Sequence, residues 1–101
     1  MQPYYALIFT SQLTDRTEGY HEMAKKMEAL AKIQPGYLGF ESVRDGVGIS
    51  ISYWRDLESI ASWKALLEHK KAQQKGKEQW YSQYHIRVCE VLREYTFNKP
   101  D

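Results

Sequence analysis

The chain has 101 residues, 43% apolar and 14% aromatic, with a formal charge of +1. That length allows one domain with a thin core, and the interspersed charge argues against the one-sided basic excess of a nucleic-acid binder. A lone cysteine, Cys89, excludes an intrachain disulfide and a cysteine-built metal site; among strand residues it reads as apolar filler.

Tyr4–Leu13 is a nearly continuous apolar run, which predicts a strand at least partly covered on both faces. After the polar break at Asp15-Arg16-Thr17, the segment from Thr17 to Ile33 takes helical period. Tyr20, Met23, Met27, Leu30 and Ala31 form one side, and Glu22, Lys25, Lys26 and Glu28 the other. Thr17 is the expected N-cap, Glu18 suits the positive end of the helix dipole, and Pro35-Gly36 ends the helix. Tyr37–Arg44 reads as a second strand, Asp45-Gly46 as a hairpin turn, and Val47–Trp54 as the third strand. In that third strand Ile49, Ile51 and Tyr53 share one face, while Ser50, Ser52 and Trp54 share the other.

Asp56 is the expected N-cap of a second helix, with Ser59 at its third position. Its apolar arc holds Leu57, Ile60, Ala61, Trp63 and Leu67, with the stem of Lys64 alongside. Lys64, Lys70, Lys71, Lys75 and Lys77 are diluted by Glu68 and Glu78 and read as a solvated face. Gly76 breaks or bends the segment, Lys77 to Ser82 is expected to add a short helical turn, and Tyr84 to Phe97 reads as a long last strand before the tail Asn98–Asp101.

The resulting order, β-α-β-β-α-β, is the ferredoxin-like α+β arrangement: an antiparallel sheet with helices on one face. The strands carry apolar residues on both faces, so the uncovered face is expected to pack on a second copy, giving a homodimer through the sheet faces. Eight tyrosines and three tryptophans suit an interface or a ligand cavity. The N-terminus lacks a basic segment followed by an apolar one, and no apolar run approaches the roughly 20 residues of a membrane span. The expected setting is cytoplasmic, with no membrane partner and no nucleic acid.

His21, His69 and His85 are scattered, and the glycines form no phosphate loop, so neither a metal site nor a nucleotide cofactor is expected. No Gly-x-Ser-x-Gly elbow marks a nucleophile. What remains is an aromatic and polar set around the second helix. Trp63 is either core packing or one wall of a pocket between helix and sheet. His69 and Gln73 lie one turn apart on a face turned away from the Trp63 arc. They form a surface pair unless the helix bends near His69, which would then be the best general acid or base in the chain. Trp80, Tyr81 and Tyr84 either close such a pocket or are interface aromatics, and His85 and Arg87 on the last strand read as surface or intersubunit contacts.

Gly36-Tyr-Leu-Gly-Phe, Tyr53-Trp54-Arg-Asp, Trp63, the segment from His69 to Gly76, and Trp80-Tyr81 before Arg87-Val-Cys give the chain its likeness to a known family. In this order the chain resembles the antibiotic biosynthesis monooxygenase family over about Tyr4 to Phe97. The resemblance implies a dimeric α+β barrel. It also implies, as the leading function, a cofactor-independent monooxygenase acting on a small aromatic or quinol-like molecule. His69 would serve as base or orienting residue, with Trp63, Trp54, Tyr53, Gln73, Trp80, Tyr81 and Arg87 around the substrate. The alternative is a non-catalytic dimeric module for a small apolar ligand. Haem binding or degradation ranks last. That branch of the family uses an Asn on the first strand and a His about ten positions beyond the helix Trp; here the His position is Gln73, and the only Asn is Asn98.

Overall fold

The computed structural model describes residues 2–73 and 79–100, with side chains described for all of these except 71–73. Among the described residues the elements follow in the expected order: β1 (Tyr4–Leu13), α1 (Tyr20–Lys32), β2 (Tyr37–Asp45), β3 (Val47–Trp54), α2 (Leu57–Gln73) and β4 (Tyr81–Val91). The strands form one antiparallel sheet in the order β2-β3-β1-β4. β1 is therefore a central strand, which accounts for its continuous apolar run: Ala6 on one face and Leu7 and Phe9 on the other are all buried.

Both helices lie on the face that carries Leu7, Phe9, Ser11, Ser52 and Trp54. The core there comprises Met23, Met27 and Ala31 of α1, Ile60, Trp63 and Leu67 of α2, and Trp54, Trp80 and Tyr81. The alternation in β3 thus turns its serine row inward and its Ile49-Ile51-Tyr53 row outward. Among the described residues, no helix is long and apolar enough to cross a membrane.

The N-cap of α1 falls two residues later than the sequence predicts. Gly19, not Thr17, is the N-cap, with φ +83° and no side-chain cap. The Trp80 indole N–H donates to the Glu18 carbonyl at 2.8 Å, and that tertiary bond takes the chain before Gly19 out of the helical path. α2 starts as expected: the Ser59 N–H donates to the Asp56 carboxylate at 2.8 Å. Its buried arc is Ile60, Trp63 and Leu67 with Leu66 beside it, whereas Leu57 and Ala61 are exposed. The helix is therefore rolled toward Leu66 relative to the predicted arc. β4 begins before Tyr84 and stops at Val91, not Phe97. Val91 pairs with Tyr4, the first residue of β1, and beyond that point there is no strand to pair with. Leu92, Tyr95 and Phe97 are exposed; this segment is fastened by the Tyr4 hydroxyl, which donates to the Glu94 carboxylate and is thereby pushed up to about 12. The predicted break at Gly76 and the Lys77 start of an extra turn lie outside the described residues.

The Asp56 cap gives a pH signature. Ser59, through its side chain and its backbone N–H, holds the Asp56 carboxyl below the usual carboxylate range, with Arg55 adding to the effect. A folded-state pKa below the unfolded one stabilises above the unfolded value and is lost as pH falls through the folded value. Asp56→Ala is therefore expected to lower Tm near neutrality, with the gap from the parent shrinking as pH drops below about 4. A gap that stays constant from neutrality to pH 3 would exclude the carboxylate as its source.

Candidate functional site

Between α1 and the sheet lies a cavity of about 350 Å³. Its sheet wall comes from the inward rows of three strands: Leu7 and Phe9 of β1, Phe40 and Ser42 of β2, Ser50 and Ser52 of β3. Met23 and Met27 of α1 and Trp63 and Leu67 of α2 face them. The inward serines make the space. A serine fills far less volume than the Leu, Phe and Met opposite, so the helices rest on the larger residues and leave a gap above the small ones.

One end of the cavity is polar. Arg44, the last inward residue of β2, extends across the sheet and donates from Nη2 to Ser11 Oγ at 2.6 Å and to the Tyr20 hydroxyl at 3.1 Å. Longer contacts run from Nη1 to the Ser11 and Gly46 carbonyls, both at 3.4 Å. The guanidinium also lies 5.5 Å from the centroid of the Tyr20 ring, within cation–π range. Gly48 makes this reach possible. It pairs with Arg44 on one side and Ser11 on the other, and a Cβ there would stand 2.2 Å from Arg44 Cζ.

Tyr81 completes that end. Burial pushes its hydroxyl above the ordinary phenol range, the neighbouring Tyr20 adds to the shift, and the Arg44 charge pulls the other way. Its net effect keeps Tyr81 a neutral hydroxyl. Phe9 packs edge-on against Tyr81 at 5.6 Å and stacks on Tyr84 at 5.2 Å, fixing the ring.

Of the residues the sequence nominates, two line this cavity: Trp63 and Tyr81. Trp54 stands directly behind Trp63, the rings stacked with centroids 5.7 Å apart. Its indole N–H is buried and finds no hydrogen-bond partner among the described residues. Trp80 is buried at the start of α1, bonded to the Glu18 carbonyl, and is not on the cavity wall. Tyr53 lies on the open face of the sheet, edge-on to Tyr4 at 6.0 Å. Arg87 is exposed on the same open face, opposite Ile8. The Gln73 side chain lies outside the described residues. His69 is exposed and does not line the cavity. α2 runs on as one helix through Gln73, with His69 on its exposed side.

Apart from Tyr81, the polar end was not among the nominated residues. Beside a hairpin turn, Arg44 looks like an ordinary solvated charge. The signal for it was parity: Phe40, Ser42 and Arg44 share one face of β2. His21, set aside as an isolated histidine, lies on the cavity wall at the start of α1.

Fold and cavity together define a ferredoxin-like α+β domain with a ligand-sized cleft between helices and sheet. The sequence profile of the family described as "Antibiotic biosynthesis monooxygenase" matches residues 4–75, and the chain belongs to that family. It is 46% identical over 99 residues to the uncharacterized protein YqjZ of Bacillus subtilis, covering 96% of this chain and 87% of YqjZ. A shorter match, 36% identical over 56 residues, joins 55% of this chain to 26% of the jasmonate monooxygenase ABM of Pyricularia oryzae. Among solved structures, Rv0793 from Mycobacterium tuberculosis superposes with a TM-score of 0.76 at 13% identity, covering 94% of this chain and all (100%) of that one. A mutant of SnoaB, a cofactor-independent oxygenase from Streptomyces nogalater, superposes with a TM-score of 0.73 at 9% identity, covering 90% and 95%. At such identities the structural likeness speaks for the fold.

Proposed function

We propose that the protein is a cofactor-independent monooxygenase that takes a small, electron-rich aromatic or quinol-like substrate into the helix–sheet cavity. The observation that carries this reading is the cavity itself: aromatic and apolar walls with a polar end, in a chain of a family that includes oxygenases. At about 350 Å³ it sits near the lower end of the range for ligand pockets, about 300–1,000 Å³. That size suits a compact planar molecule.

The chemistry asks little of the protein beyond placement. A deprotonated, electron-rich substrate passes one electron to O2, and the resulting radical pair combines to a carbon-bound peroxide. Loss of water then leaves a carbonyl, so one oxygen atom enters the product and the other leaves as water with two hydrogens, one the proton first taken from the phenol hydroxyl and one from the attacked ring carbon. The walls keep bulk water from the intermediates, and fixed donors hold the substrate anion. Trp63 supplies a flat wall. For the proton, His21 is the imidazole that the cavity wall offers. The companion assembly is a homodimer through the open sheet face, where Val43, Val47 and Ile49 stand exposed.

The test is O2 uptake by dialysed, chelator-treated protein with hydroquinones, naphthols and related phenols, after native mass spectrometry has given the subunit number. The expected result is a dimer that consumes one O2 per substrate oxidised, with uptake reduced in His21→Ala. Saturable binding without uptake for every compound would sink the enzyme reading and leave a binding module. If uptake falls in His69→Ala and not in His21→Ala, the base is His69 instead.

A further inference from the structure

We propose that Arg44 is the anion-recognition residue of this cavity, and that the cognate ligand is a planar aromatic molecule carrying an ionised oxygen, phenolate or carboxylate, at the end that meets it. This deepens the proposed function and rests on the same cavity being the substrate site.

The argument starts from what Arg44 lacks. Its hydrogen bonds go to two hydroxyls and two carbonyls, all neutral. The ion pairs among the described residues are Lys32–Glu28, Arg55–Asp56 and Lys64–Glu68, and none includes Arg44. Asp45 follows it in β2 but belongs to the opposite face. Glu28 also lines the cavity, and its carboxylate is engaged by Lys32 at 3.5 Å. The wall carries Lys25 as well, so the charged residues lining the cavity are two cations, Arg44 and Lys25, and one acid, Glu28. A half-buried guanidinium with no counter-charge among the described residues is an unfavourable arrangement. An anionic oxygen in the cavity supplies the missing charge.

The second observation is that this placement is built into the sheet. Arg44, Gly48, Ser11 and Tyr84 stand in one row across the four strands. Any other residue at position 48 would put a Cβ into the guanidinium. Ser11, only 1% exposed, fixes Nη2 from below, and the Tyr20 ring covers one flank. Arginine presents its N–H groups in a rigid plane matched to oxygen anions.

Arg44 also ties β2 to β1 and α1, so the test must separate recognition from bracing. The probes are 2-naphthoate and its neutral near-isostere 2-naphthalenemethanol, titrated by quenching of intrinsic tryptophan fluorescence without any turnover. Arg44→Met, first shown to be folded by circular dichroism, is expected to bind naphthoate about tenfold or more weakly, the scale of a lost charged hydrogen bond. The neutral alcohol should change by no more than about twofold, within the spread of a lost neutral contact. Gly48→Ala keeps the charge but displaces it and should show the same selectivity loss in smaller degree. 2-Naphthol titrated on either side of its own ionisation separates the two anion types: tighter binding of the ionised form identifies phenolate recognition, and tight naphthoate binding alone identifies carboxylate. Equal losses for anion and alcohol in Arg44→Met, or no loss in either, would overturn the proposal. Because the readout is binding, anion selectivity without O2 uptake would refute the oxygenase reading and leave this one standing. Full O2 uptake at unchanged KM in Arg44→Met would do the reverse.

Discussion

Trp63→Ala is expected to destabilise the fold by about 3–5 kcal/mol, the range for truncating a buried large aromatic. Trp63 is 3% exposed, stacks on Trp54, and sits at the centre of the α2 face that meets the sheet. Removing it takes away the ring that holds α2 over β3 and merges the vacated space with the cavity it lines. Against a total stability of about 5–15 kcal/mol for a domain, this is a large share. Urea unfolding should show a lower midpoint with little change in slope. Trp63→Phe keeps an aromatic plane against Trp54 and should recover roughly half of the loss. A loss below about 1 kcal/mol, the scale of an ordinary surface or near-neutral change, would mean that α2 is seated by Ile60 and Leu67 and that Trp63 acts chiefly as cavity wall. The two roles separate in the binding assay: a wall residue affects every aromatic ligand alike, whatever its charge.

Much of the fold was legible because it is written locally. β1 and β3 are bounded by turn residues, and the Asp56–Ser59 cap is a side-chain rule that needs no tertiary partner. The misses occurred where a distant group decides the outcome. The N-terminus of α1 is set by the Trp80 indole, which claims the Glu18 carbonyl from far along the chain. The end of β4 is set by where β1 begins, so the β-forming residues Leu92, Tyr95 and Phe97 have no strand to join. In β3, alternation separates the isoleucine row from the serine row but does not say which one the helices cover. Hydrophobicity alone favours the isoleucines inside; the structure puts the serines there, and the cavity follows from that choice. The site was read through helix α2, where Trp63 was found and His69 was not brought in. Its polar end depends on a row across three strands, Arg44, Gly48 and Ser11, and such a row is invisible until the register is known.

Gly36→Ala should be the most damaging single-methyl substitution at any of the three glycines with positive φ. Gly19, Gly36 and Gly46 all lie in the left-handed region, at φ +83°, +84° and +79°, where an L side chain costs about 1–2 kcal/mol. Their surroundings differ. A Cβ at Gly46 meets nothing within 4 Å, and one at Gly19 meets Trp80 Cζ2 at an ordinary 3.5 Å, whereas one at Gly36 falls 2.2 Å from Ser59 Oγ and 2.7 Å from Ser59 Cβ. Ser59 cannot give way cheaply, because its backbone N–H is bonded to the Asp56 cap. Gly36 itself is held by its carbonyl, which accepts from the Arg55 N–H at 2.8 Å. Backbone strain and overpacking together give an expected loss of about 2–5 kcal/mol, against about 1–2 kcal/mol for Gly46→Ala. Urea midpoints for the two variants measure the difference, which isolates the contact with Ser59. Adding Ser59→Gly to Gly36→Ala removes both clashing atoms and should recover most of the excess; no recovery would place the damage in the backbone alone. The junction matters beyond stability. Gly36 is where the chain leaves α1 for β2 and touches the start of α2, so it fixes how the strand carrying Phe40, Ser42 and Arg44 meets the helix carrying Trp63. A folded Gly36→Ala protein should therefore bind aromatic ligands more weakly than Gly46→Ala, although neither glycine lines the cavity.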